Sequence, residues 1–420
     1  MRRITRREFL TTLAASAFGL LVPGCSDKRS EPGRTVLTYN TFWTGLDAHA
    51  SVMDWLYAEF RKRHPEIDLR VVQVAGGAQD NGQKLMAELA AGGGPDVLHD
   101  TTYDQVRPGY CLDLTDHIRP WRDRFYPEAL ASCTWGGRVY SLPTEYSMVP
   151  CIWNTKLLRK VGKDIPSTFD EYLEVGRALR KIGVPLTSLS MNGAHIFFSI
   201  LFGDPRAPEV IRREQWESEP FLRAVKVVKK IRDEGLIPEN DIELQFANGA
   251  SLFQQDRMGH YMNGAWTLIN EIAAEGVDPT LRERVAFAPF PAYEGARPIR
   301  AWVATKTAIN SKLADEPAKL KAALTFLEFF TSRESARRFI SMAHSPQGVK
   351  VELTKEEAGP LLYEFMNTRR QATSVFVIPN DPGYFSEQSQ ARALPDMFAA
   401  IDEGASAKEA LRFFAEVLMS

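Results

Sequence analysis

Several short stretches of this chain set an aromatic ring among hydrogen-bonding neighbours. Trp43 and Thr44 follow Asn40 and Thr41, Tyr103 precedes Asp104, and Glu145 precedes Tyr146. Asn263 and Trp266 bracket Gly264-Ala265, Arg300 lies two residues before Trp302, and Tyr384 adjoins Phe385. Such groups suit a ring-shaped polyhydroxyl solute: aromatic plates cover its C–H faces, and amide, carboxylate and guanidinium groups meet its hydroxyls. Covalent chemistry is harder to place. No Gly-x-Ser-x-Gly elbow, His-Glu-x-x-His pair or Gly-x-x-x-x-Gly-Lys loop occurs. Glycoside cleavage needs only two carboxylates ~5–10 Å apart, and Asp104 with Glu145 is the pair on offer. With 7 His and no Cys-x-x-Cys, no metal or other cofactor is expected.

The elements that must position these groups alternate. Residues 35–39 read as a strand by their β-branched and aromatic content. Val52, Leu56, Tyr57 and Phe60 recur at helical spacing over 48–64, and Pro65 stops that helix. A strand over 67–74 follows, then a helix over 83–91 with Leu85, Met86 and Leu89 on one side, a Gly92-Gly93-Gly94 break and a strand over 95–98. This β-α-β-α-β order implies a parallel sheet with covering helices. Trp43 then lies just past the first strand, and Tyr103 and Asp104 past the third. In the second half, 148–153, 285–290 and 303–309 read as strands. Thr168 and Glu171 form a capping box, opening a helix with Tyr172, Val175, Leu179 and Ile182 inward. Further helices are expected over 221–234, 317–330 and 335–342. Ser406 and Glu409 cap a terminal helix carrying Leu411, Phe414 and Leu418. The fold class is α/β throughout. Trp55, Trp121, Trp135 and Trp216 are assigned to packing, and His195 either faces the site or serves the core.

The amino terminus carries its own chemistry. Arg2, Arg3, Arg6 and Arg7 precede an uncharged stretch over 9–23, too short to span a membrane. Thr5-Arg6-Arg7-Glu8-Phe9-Leu10 is similar to the twin-arginine export motif. Leu21-Val22-Pro23-Gly24-Cys25 resembles a lipobox, in which the Cys25 thiol takes a diacylglycerol; Pro23 is an untypical neighbour there. Residues 1–24 are therefore expected to be a signal peptide and 25–34 a polar, lipid-anchored tether. Removing residues 1–24 takes the 51 basic and 53 acidic side chains to 47 and 52, a net charge of −5, which gives no reason to expect nucleic acid. The remaining 396 residues exceed one core, so two domains are the default. Cys111, Cys133 and Cys151 allow either a Cys111–Cys133 disulfide or three unpaired thiols.

Longer stretches carry a resemblance. These are His64-Pro65-Glu66-Ile67; 89–92 through Pro95-Asp96-Val97; Leu112-Asp113-Leu114-Thr115; Gly137-Arg138-Val139-Tyr140-Ser141-Leu142-Pro143; Trp153-Asn154-Thr155-Lys156-Leu157-Leu158; and Pro166-Ser167-Thr168-Phe169-Asp170-Glu171. With 246–266 and 326–335, their order and spacing resemble the extracellular solute-binding proteins of ABC importers, in the branch that takes sugars and oligosaccharides. The resemblance implies a type II periplasmic-binding-protein fold: two α/β lobes, discontinuous chain crossings and a ligand cleft between them. Crossings are placed near Ser141, 293–300 and 345–348. Lobe 1 is then 35–141 plus 303–345, and lobe 2 is 142–302 plus 346–420.

The resemblance further implies a monomeric, non-enzymatic lipoprotein at the outer face of the cytoplasmic membrane or in the periplasm. It would hand a carbohydrate to ABC permease subunits. Trp43, Thr44, Asp104, Glu145, Tyr146, Asn263, Trp266, Arg300, Trp302 and Tyr384 are its expected ligand contacts, with Trp266 in a Gly-x-Trp turn whose indole stacks on ligand. The alternatives are a lipid-anchored glycoside hydrolase and a sensor lipoprotein of the same fold.

Overall fold

The computed structural model describes residues 33–419 except 76, 242–245, 353 and 379–386. The signal segment, Cys25, most of the tether, Tyr384 and Phe385 therefore lie outside the described residues.

The first β-α-β-α-β unit forms as the residue pattern dictates. Strands β1 (Thr35–Thr41), β2 (Ile67–Gln73) and β3 (Val97–His99) alternate with helices Ala50–Arg63 and Ala78–Ala90. Val52, Leu56, Tyr57 and Phe60 are all buried, and the helix ends at the residue before His64-Pro65. The second helix begins five residues before the expected position, and its first turn carries a fully buried Asn81 that accepts from Asn40 and donates to the His99 carbonyl.

The parallel reading holds for part of this sheet only. β1 pairs parallel with β2 and β3. The long strand β10 (Pro298–Ile309) joins antiparallel to β3 and to β6 (Ser141–Val149), and parallel to β11 (Ser374–Phe376). The sheet is mixed because β10 enters it from the other half of the chain. Between β3 and β6 lies a small hairpin of β4 (Thr134–Trp135) and β5 (Arg138–Val139). The second sheet is antiparallel, β8-β7-β9, from Cys151–Asn154 (β7), His260–Met262 (β8) and Val285–Ala288 (β9). Pro150 splits the strand expected over 148–153 into the end of β6 and the start of β7.

Two large apolar cores follow from this division. One gathers Tyr39, Phe60, Phe326, Phe330 and Phe339 around the first sheet. The other gathers Trp153, Tyr172, Phe197, Phe221 and Phe414 around the second. The Thr168 capping box forms and directs Tyr172, Val175 and Leu179 inward. Ile182 departs from expectation: it lies past the helix end at Arg180 and is 39 % exposed. The Ser406–Glu409 box also forms, burying Leu411, Phe414 and Leu418. Trp216 is buried, and Trp55, Trp121 and Trp135 pack against core clusters.

β6 and β10 form a ribbon between these cores, with a third segment alongside. The Tyr146 amide donates to the Pro346 carbonyl at 2.8 Å, and the Gly348 amide donates to that of Pro143 at 3.0 Å. A side chain at 348 would bring its Cβ to 2.4 Å from the Pro143 ring, so the close approach requires glycine. Cys111, Cys133 and Cys151 are buried free thiols, so the Cys111–Cys133 bridge does not form.

Candidate functional site

Alternation along the ribbon sorts the candidate residues onto two faces. Tyr146, Met148, Ile299, Ala301 and Val303 enter an apolar cluster on one face. Glu145, Ser147, Arg300 and Trp302 take the opposite parity, with Ser147 directly across from Trp302 and Val149 across from Arg300. Glu145 and Tyr146, adjacent in sequence, are thus parted. Tyr146 is 1 % exposed, stacks on Tyr126 with ring centres 5.3 Å apart, and donates its hydroxyl hydrogen to Glu128 at 2.9 Å.

Trp266 and Trp302 come together. Their ring centres are 5.1 Å apart at 77°, edge to face, and both are partly exposed. The Arg300 guanidinium lies 4.9 Å from the Trp302 ring centre and hydrogen-bonds His195 Nδ1 at 3.0 Å. Burial, reinforced by the Arg300 charge, holds His195 well below the usual histidine range, so the ring is neutral and accepts this bond. His195 comes from the helix Leu189–Leu201, whose first turn is held by Asp241 Oδ2 accepting the Leu189 and Ser190 amides at 2.9 Å each. Three residues before His195 on the same helix face, Asn192 accepts the Met262 amide at 2.9 Å at the end of β8. One helix thereby sets Arg300 and the strand leading to Asn263, which is 5 % exposed.

Midway along the ribbon, paired with Thr305, Glu145 is 7 % exposed and bonded to three separate segments of the chain. Its Oε2 accepts from Thr305 at 3.0 Å and its Oε1 from Ser345 at 3.3 Å. His49 Nε2 stands 3.4 Å from the same Oε1, an ion-pair separation, while Nδ1 meets Asp47 at 2.8 Å. Burial alone would push the His49 pKa down, but the two carboxylates outweigh it and raise it to about 9. His49 is therefore an imidazolium at neutral pH.

That imidazolium occupies Trp43. The two rings stack 4.0 Å apart at 12°, His99 meets the indole edge-on at 4.4 Å, and Trp43 is 2 % exposed. Its neighbours are equally engaged: Asn40 bonds Asn81 and the His99 amide, and Thr41 bonds His99 Nδ1 at 3.0 Å. Thr44 is half-buried. Asp104 is exposed on the short helix Tyr103–Val106, its amide capped by Thr102, and is not among the groups surrounding Glu145.

Sequence reasoning missed His49 and Ser147. Asp47-x-His49 carried a signal, an acid two residues before a histidine beside Trp43. Ser147 carried none, since one serine in a strand looks like any other.

The family model for bacterial extracellular solute-binding proteins matches residues 55–349. The chain belongs to this family. As a member of an extracellular family it is an exported protein, and among the described residues no helix is long and apolar enough to cross a membrane. An arabinooligosaccharide-binding protein of Bacillus subtilis (strain 168) is 26% identical over 300 residues, 66% of this chain. The match spans 65% of that protein's own length, just under two thirds. A chitin oligosaccharide binding protein superposes with a TM-score of 0.74 at 20% identity, covering 92% of this chain and 98% of that one. A probable secreted solute-binding lipoprotein from Streptomyces coelicolor also gives 0.74, at 16% identity, covering 93% and 100%. The two-lobed α/β fold of the solute-binding proteins is thereby the fold of this chain.

Proposed function

We propose that this solute-binding protein captures an oligosaccharide between its lobes and delivers it to the permease subunits of an ABC importer. The observation that carries the reading is the corner of two indoles. Trp266 and Trp302 stand nearly perpendicular, with Arg300 over the Trp302 ring and Asn263 three residues before Trp266. Such a corner receives the apolar face of one sugar ring while contacting the edge of the next, and the polar neighbours address hydroxyls. The oligosaccharide names of the relatives support this substrate class. The lobes are 35–141 with 303–345 and 142–302 with 346–420; their closure buries the sugar by a hinge motion.

Glu145 and His49 belong to the hinge on this reading, Thr44 and Asp104 to the rim, and Trp43 and Tyr146 to the scaffold. Tyr384 is proposed as a further aromatic contact. Residues 1–24 direct twin-arginine export and Cys25 carries a lipid, which keeps a monomeric receptor near its importer. The test is a titration of the mature protein with arabino-, chito-, xylo- and malto-oligosaccharides, followed by Trp fluorescence and by assay for cleaved product. Saturable binding without turnover is expected. Product release, or no response to any sugar, refutes the proposal.

A further inference from the structure

The two indoles meet at a fixed angle, and one of them stands on a turn. Trp302 is held by the ribbon itself, whereas Trp266 follows Asn263-Gly264-Ala265 beyond the end of β8. Ser147 joins the two. It lies across from Trp302 on β6, is 1 % exposed, and accepts the Ala265 amide hydrogen at 2.7 Å while donating to the Met148 carbonyl at 2.8 Å. The donation to Met148 fixes the hydroxyl rotor and turns an oxygen lone pair toward Ala265. Gly264 completes the seat, because a Cβ there would fall 2.1 Å from Cζ3 of the Trp266 indole.

We propose that Ser147 is the positioning residue for the Trp266 plate, tying its turn to a strand that runs between the lobes. Ala265 is 1 % exposed, so without Ser147 its amide is a buried donor with no acceptor. Such a donor is costly enough that the turn shifts to satisfy it and carries the adjacent indole along. Glu145, two residues earlier on the same face of β6, binds Thr305, Ser345 and His49. Any twist of β6 as the lobes move is therefore passed through Ser147 to the plate.

The effect on affinity rests on Trp266 being a ligand contact; the geometric claim does not, and the two are read separately. Two indoles in this arrangement couple their ultraviolet transitions, giving a circular-dichroism couplet in the free protein that Trp302→Phe removes. Ser147→Ala and Gly264→Ala should each lose that couplet while retaining a cooperative thermal transition. In sugar titrations Ser147→Ala should bind about tenfold more weakly. In a Trp266→Ala background the same change should matter less than about twofold, because coupled sites are not additive. An intact couplet in Ser147→Ala, or equal losses in both backgrounds, overturns the proposal. Should Ser147→Ala not fold, Ser147→Cys carries the test: its weaker acceptor must diminish the couplet, and a wild-type couplet there overturns it. If no sugar binds, the stacking reading fails while the couplet still decides the role of Ser147.

Discussion

Replacing Glu271 with Gln should make the stability of this protein less dependent on pH, in a direction opposite to most carboxylates. Glu271 sits in the π-helical turn Leu268–Ile272 directly after Trp266, where Tyr261 donates to its Oε2 at 2.9 Å. Burial raises its pKa from 4.5 to about 7, with the Tyr261 bond offsetting part of the rise. A carboxyl that holds its proton more tightly when folded adds stability fully present below the unfolded value of 4.5 and lost as pH rises through about 7. At ~1.4 kcal/mol per pH unit, the interval corresponds to ~3 kcal/mol, and residual solvent access at this side chain reduces the expectation to about 1–3 kcal/mol. Glutamine keeps the shape and never ionises. Urea unfolding of wild type and Glu271→Gln at pH 5 and pH 8 isolates the group. The variant should lie closer to wild type at pH 5 than at pH 8, where it should exceed it by about 1–3 kcal/mol. A stability difference independent of pH would refute the claim that Glu271 is held protonated by burial.

Trp266→Ala should weaken sugar binding by ~1–3 kcal/mol, the loss of one stacking plate and its buried area; unchanged affinity in calorimetry removes Trp266 from the site. His49→Ala leaves the Glu145 carboxylate buried beside no cation and should cost about 3 kcal/mol of folding stability, as for one partner removed from a buried pair. In wild type the contribution of His49 is fully present below pH 6.5 and lost as pH rises through about 9, so the wild-type advantage over the variant must shrink between those values. Burial pushes the Cys111 thiol up to about 12 and that of Cys133 to about 11, and raises Cys151 further. A thiol reagent at pH 8 should therefore reach these three only after denaturation, and rapid modification of the native protein would contradict that burial.

Periodicity made most helices readable, because each buries a stripe whose spacing is written in local sequence: Tyr172, Val175 and Leu179 need no distant partner to be recognised. The mixed sheet was not readable. β10 pairs with β6 across some 160 residues, and nothing local announces a strand's direction relative to one so distant. The site divides the same way. Trp266 and Arg300 stood out by residue type and setting, and the structure brings Trp266, Arg300 and Trp302 together. Trp43 looked equally exposed at a strand end, but Asp47 and Glu145 hold a charged His49 against its face. Adjacent Glu145 and Tyr146 read as one spot until pleating placed them on opposite faces.

That pleating also limits how such a receptor can diverge. One residue gained or lost within Ser141–Val149 would exchange Glu145 and Ser147 for Tyr146 and Met148 along the remainder of the strand. The Glu145 carboxylate and the Ser147 hydroxyl would enter an apolar core, while a tyrosine and a methionine would take their places on the face that carries Arg300 and Trp302. A substitution at Trp266, Arg300 or Trp302, by contrast, alters one side chain and leaves the register of the strand intact. A change of length is borne far better in a surface turn than within β6, whose register holds only as a whole.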